Sequence, residues 1–166
     1  MRSRIGTFWY SLLLTLLLLL PMMGAVLFFA VAPEVLKLPG VLIAGLGSAG
    51  YWFGLGYVWA VGALCFGALW QAWKICVEIG RDNSFSMKNA RLLKRIQWLM
   101  TAACGLMAAG LALYLAVHGM HPDSLLAPGL IVLGVCISLV FALFAAALAE
   151  PIRMGAELKD ENDLTI

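Results

Sequence analysis

The sequence predicts an all-α integral membrane protein, a bundle of four transmembrane helices with the N and C termini both cytoplasmic. Three observations predict it. Of 166 residues, 63% are hydrophobic and 12% charged, whereas a soluble domain carries roughly 45–50% apolar and about 25% charged residues. A soluble chain of this size must cover its surface with polar groups; a chain whose surface meets hydrocarbon need not. Next, four apolar runs are each long enough to cross a bilayer, which takes about 20 residues over roughly 30 Å. Finally, Lys and Arg gather on one side of the alternating path these runs define, as basic residues flanking spans do on the cytoplasmic side.

The first span covers about residues 8–32, a run without a charge. A cleaved signal peptide is the rival reading, because Arg2 and Arg4 precede the run and Ala30-Val31-Ala32 imitates a cleavage site. A signal core is only about 7–15 residues, and Pro33 would directly follow the cut, so a retained helix is preferred. Pro33, Glu34, Lys37, Pro39 and Gly40 then break the chain, the prolines by fixing φ and removing donors. The second apolar run, about 41–75, exceeds what one span needs. Its glycine-rich start at 45–50 is a poor helix former, which puts the span at about 47–76 with its last turns projecting outward. The third span covers 96–117. A short polar turn at 118–124 leads to the fourth, 125–149, closed by Glu150-Pro151. This leaves a cytoplasmic connection at 77–95 and a cytoplasmic tail at 150–166, all within one membrane domain, 1–166, that shows no internal repeat.

Charge fixes the orientation. Arg2 and Arg4 precede the first span, Lys74, Arg81, Lys88, Arg91, Lys94 and Arg95 surround the second connection, and Arg153 and Lys159 follow the fourth span. Only Lys37 falls on the other side. The location this implies is a bacterial cytoplasmic (inner) membrane, crossed several times.

The connection carries the richest local signals. Gly80 suits a helix C-terminus, Asp82-Asn83-Ser84 reads as a turn, and Ser86 is an N-cap for a helix that begins at Met87. Phe85 is then placed to staple back onto the first turn. Lys88, Arg91 and Arg95 repeat at three and four residues and share one face; Leu92, Ile96 and Leu99 form another. The bland reading of the basic face is contact with anionic headgroups. The sharper one is a docking surface for an acidic partner or for this chain's own acidic tail. Direct nucleic-acid binding is disfavoured, because the face is short and pinned against a membrane. In the tail, Asp160, Glu161 and Asp163 are anionic, and Leu164 and Ile166 could anchor a short recognised peptide; a solvated tail is the plain alternative. Candidate docking residues are therefore Phe85, Ser86, Lys88, Arg91 and Arg95 together with Asp160, Glu161, Asp163, Leu164 and Ile166.

The segment Asp82-Asn83-Ser84-Phe85-Ser86, followed by Asn89-Ala90 and Leu93-Lys94-Arg95-Ile96, and the ending Leu158-Lys159-Asp160-Glu161-Asn162-Asp163-Leu164-Thr165-Ile166, resemble the bacterial membrane family known as domain of unknown function 2975. The acidic ending is the stronger motif. In the first, this chain has Asn83-Ser84-Phe85 where the family pattern usually has Gly-x-Pro-Phe. The resemblance implies no enzyme activity. It implies a four-span chain whose relatives are often encoded beside a small helix-turn-helix regulator, hence a regulatory or sensing partner of a cytoplasmic transcription factor.

The remaining candidates point away from chemistry. His118 and His121, three apart near Asp123, lack a third fixed metal ligand, and Pro122 argues for a turn. Cys65, Cys76, Cys104 and Cys136 lie in apolar stretches without paired spacing and read as small packing residues. The spans hold little that is polar beyond Thr15, Ser48, Thr101, Ser138 and a few tyrosines, and no catalytic or phosphate-binding motif. No enzyme activity, metal or cofactor is expected. Glu150 is placed to pair with Arg153. Gly50-x-x-x-Gly54 and Ala63-x-x-x-Gly67 permit close helix approach, within the bundle in preference to a homo-oligomer. Of six tryptophans, Trp9, Trp52, Trp70, Trp73 and Trp98 read as interface anchors, and Trp59 lies deeper. The alternative function is a subunit of a small oligomeric transporter or channel, in which symmetry would have to create the pore.

Overall fold

The computed structural model describes residues 15, 19–37, 47–80, 85–119 and 125–163. These are helical apart from short turns and connections. They comprise α1 (Leu19–Glu34), α2 (Gly47–Ile79), α3 (Met87–His118) and α4 (Leu126–Asp163). Among them α2, α3 and α4 are long and apolar enough to cross a membrane, while the described part of α1 is a shorter apolar helix. At 1.5 Å per residue the three long helices reach about 50 Å or more, beyond the roughly 30 Å of a hydrocarbon core. Their ends therefore extend past the membrane or the helices tilt.

Sequential helices pack antiparallel. Gly24 and Phe28 of α1 face Phe66 and Gly62 of α2; Tyr57 and Gly67 of α2 face Gly110 and Leu99 of α3; Met107 of α3 faces Gly134 of α4. At Gly24 and Gly67 an added Cβ would only touch the facing side chain, whereas at Gly62, Gly110 and Gly134 the large side chain occupies space that a Cβ would need. That is how helices associate where lipid tails are as apolar as the side chains and burial alone gives no driving force. Gly110 shows it most clearly: an added Cβ would stand 2.7 Å from Cε2 of Tyr57. The ring lies across the helix backbone, and its hydroxyl donates to the carbonyls of Leu106 and Met107 at 3.4 Å. The three long helices meet at Ala68, Met100 and Ala142, with Ile96 and Leu99 packed around them.

Outside these contacts the apolar runs of the helices present an apolar surface. Leu130, Leu133, Phe141, Leu143 and Phe144 of α4 are all about half exposed or more. An apolar face of this extent has no place in water, and hydroxyls within the helices are absorbed locally: Thr101 donates to the carbonyl of Gln97 and Ser138 to that of Val135.

The expected packing glycines are only partly the ones used. Gly50 is buried and Gly54 half-buried, and a Cβ added at Gly67 would make ordinary van der Waals contact with Leu99. Ala63, however, is exposed; its neighbour Gly62 receives Phe28, because 62 and not 63 lies on the face turned to α1.

Two prolines shape the helices differently. In α1, residues 27–31 form a π turn ahead of Pro33, with the Ala32 N–H reaching back five residues to the Leu27 carbonyl. In that register the next carbonyl, Phe28, faces Pro33, which has no N–H to give. Trp59 Nε1 donates to it instead at 3.3 Å, while its ring packs against Phe29, 5.8 Å between centroids. The deeper tryptophan thus completes a backbone that proline leaves open. In α4, the sequence suggests closure at Glu150-Pro151, yet the helix runs through Pro151 to Asp163. An interior proline costs about 3 kcal/mol; here Arg153 pairs with Glu150 at 2.5 Å, Ala156 is buried, and Gly155 is covered by Phe85. Tertiary packing overrides local propensity.

Candidate functional site: the basic end of the bundle

Where α2 ends and α3 begins, the capping chemistry follows the sequence. Ser86 has extended backbone angles and its Oγ accepts from the Asn89 N–H at 3.2 Å, so α3 starts at Met87. Asn89 is fully buried, and Ala90, Leu92 and Leu93 are buried beside it. Phe85 lies over Gly155, its Cδ1 2.7 Å from where a Cβ would stand. The sequence places Phe85 on the first turn of its own helix; in the structure its ring lies on α4, whose glycine offers the socket. The chain before α3 and the polar part of α4 are joined by this contact.

Lys88, Arg91 and Arg95 share a face as their spacing requires, and all three are exposed. They line a cavity of about 470 Å³ together with Trp73, Lys74, Val77, Glu78 and Leu92. Lys88 Nζ bonds Glu78 Oε2 at 2.8 Å, Lys74 lies 5.5 Å over the ring of Trp70, and Arg91 Nε donates to the Met87 carbonyl. Helical spacing groups the three cations of α3 and the charge pattern sets Lys74 at the same connection; Glu78 and Trp73 join them only through the packing of α2 against α3. The signal was there in the antiparallel return: Lys74 and Arg95 are the charges nearest the apolar runs of α2 and α3. A second, apolar cleft of about 520 Å³ borders the first. Pro21, Phe66, Gly67, Leu69, Trp70, Gln71 and again Trp73 line it.

In the tail, Arg153 holds Glu150 and, at 3.9 Å, Glu157 within α4. Glu161 is exposed on the same helix; Asp160 and Asp163 are helical. Leu164 and Ile166 lie outside the described residues, as do Asp82, Asn83, Ser84, His121 and Asp123. Beyond the apolar run, α4 exposes Met154 and Leu158, one turn apart, at 53% and 66%. Trp52, Trp70 and Trp98 are exposed, as anchors at an interface are. Among the described residues no group of three or more His, Cys, Asp or Glu is placed to hold a metal ion.

The model of a family described as protein of unknown function (DUF2975) matches residues 46–166. The chain is also 32% identical over 113 residues to the uncharacterised membrane protein YoaS of Bacillus subtilis (strain 168), covering 66% of this chain and 68% of that protein. No solved structure matches.

Proposed function

The chain belongs to the DUF2975 family of membrane proteins, and from that premise we propose that it is a non-enzymatic regulatory or sensing partner of a small cytoplasmic helix-turn-helix regulator. In this reading it crosses the bacterial inner membrane four times and keeps both ends in the cytoplasm. The orientation draws support from the way the helices return: Lys74, Lys88, Arg91, Arg95 and Arg153 are brought to one end of the bundle, the arrangement that basic residues retained in the cytoplasm produce.

The contact of Phe85 with Gly155 carries the reading. It joins the capped start of α3 to a polar helical extension of α4, about 20 Å long past residue 149, into one folded surface. That surface offers exposed apolar anchors, Met154 and Leu158, among carboxylates. Anchors one helical turn apart suit a groove on a soluble partner. The test is affinity capture of the full chain from intact membranes, with the regulator encoded next to it as the probed partner. Capture should enrich that regulator, and Leu158→Glu should abolish the enrichment without lowering membrane yield. An intact chain that retains no regulator, or equal retention by the variant, overturns the proposal.

A further inference from the structure

We propose that the basic cavity between α2 and α3, with the apolar cleft beside it, binds one anionic phospholipid. Its phosphate would sit among Lys74, Lys88, Arg91 and Arg95, with an acyl chain in the cleft that shares Trp73. Four observations converge on this.

The first is charge. Among the described residues, four cationic side chains line the cavity against one carboxylate, Glu78, which Lys88 engages. Among the described residues no carboxylate lies within ion-pairing distance of Arg91 or Arg95, and Arg91 Nε donates to the Met87 carbonyl. The second is the helix dipole. Lys88 and Arg91 stand in the first turns of α3, which contain no acidic residue. The N-terminus of a helix carries partial positive charge and favours anions; Glu78 offsets Lys88 there, while Arg91 adds its charge to that of the helix end.

Depth supplies the third. Lys74 and Arg95 are the charges nearest the apolar runs on their helices, and the exposed rings of Trp70 and Trp98 lie one turn further into those runs. Tryptophans mark the headgroup boundary. The inner edge of the cavity, at Lys74 and Arg95, therefore stands about one helical turn, roughly 5 Å, outward of that belt, the level of lipid phosphates, and Arg91 and Lys88 lie further out. The fourth is continuity. Trp73 lines both the basic cavity and the apolar cleft, and the cleft descends along α2 towards Phe66 and Pro21. Head and tail of one amphiphile find matching surroundings in the right order, which a free phosphate would not use.

The proposal does not rest on partner docking: the cavity lies between α2 and α3, whereas the apolar anchors tested above, Met154 and Leu158, lie on α4. It is tested by native mass spectrometry of the full chain released from nanodiscs of equal parts phosphatidylglycerol and phosphatidylcholine. Phosphatidylglycerol adducts should dominate. Arg91→Gln with Arg95→Gln should reduce the preference roughly thirtyfold, each basic side chain near the surface contributing about a factor of five. Arg91→Lys with Arg95→Lys should retain most of it, and Lys94→Gln, an exposed charge outside the cavity, should leave it unchanged. Equal adducts in the unaltered chain, or an equal loss in Lys94→Gln, would overturn the site. Displacement of phosphatidylglycerol by millimolar inorganic phosphate would show that a free anion is the ligand and overturn the lipid assignment.

Discussion

Trp59 offers a sharp test of how this backbone is completed. Substituting Trp59→Phe removes the indole N–H that reaches the Phe28 carbonyl at 3.3 Å and keeps an aromatic body beside Phe29. The bond is longer than the usual 2.9–3.0 Å of N–H···O contacts (about 3 Å). That argues for the lower part of the roughly 0.6–1.7 kcal/mol found for hydrogen bonds between membrane helices. Against that, the carbonyl has no other donor in its register, because residue 33 is proline, and an unsatisfied carbonyl in hydrocarbon is costly. A loss of about 1 kcal/mol is expected. Pro33→Ala restores an N–H at the position the π register needs, so in that background the same tryptophan change should cost only a few tenths of a kcal/mol. The difference between the two costs is the quantity of interest, since packing lost with the indole largely cancels in the cycle. Unfolding of the purified protein in mixed micelles by SDS, followed by far-UV circular dichroism, gives all four stabilities. If Trp59→Phe costs the same in both backgrounds, within about 0.3 kcal/mol, the tryptophan is not substituting for the proline's missing donor.

Two further changes separate packing from propensity. Gly110→Ala must displace the Tyr57 ring and should destabilise by about 1–3 kcal/mol, whereas Gly105→Ala, with nothing within 4 Å of its added carbon, should be neutral or stabilising by up to about 1 kcal/mol; the same SDS titration reads both, and equal effects would remove the socket argument. Ser86→Ala takes the oxygen that accepts from the Asn89 N–H and should cost about 1 kcal/mol, visible as faster hydrogen exchange confined to residues 87–90 with the spans unchanged.

The parts of this structure that sequence foretold are those governed by local rules. Span composition needs only a count of apolar residues against membrane thickness, and the start of α3 needs only Ser86 three residues before Asn89. The cationic face of α3 follows from helical spacing alone. What escaped the sequence required knowing which helix lies opposite. Glycine spacing pointed to Ala63, but the facing side chain, Phe28, selects Gly62. The staple is a local motif and ties Phe85 to its own helix, and nothing local announces that Gly155, seventy residues on, offers a socket. Pro151 reads as a stop because propensity cannot weigh the packing of Ala156 and the Glu150–Arg153 pair beyond it.

These long-range contacts bear on how a signal in the membrane would be felt at the basic end. Within hydrocarbon the helices are held by interlocking shapes, Phe28 in Gly62, Tyr57 in Gly110, Met107 in Gly134, with no hydrophobic driving force between them. Such contacts have a limited number of ways to interlock and are sensitive to small shifts along the helix axis. Past the apolar runs, water restores the hydrophobic effect. There Asn89, Ala90, Leu92, Leu93 and Ala156 are buried together with the Phe85 contact, so that end is held by burial as well as by shape. Because α4 is continuous through Pro151, a shift of its membrane part against α3 cannot be absorbed at a break before the extension. It must be taken up where Phe85 meets Gly155, the contact that assembles the proposed docking surface.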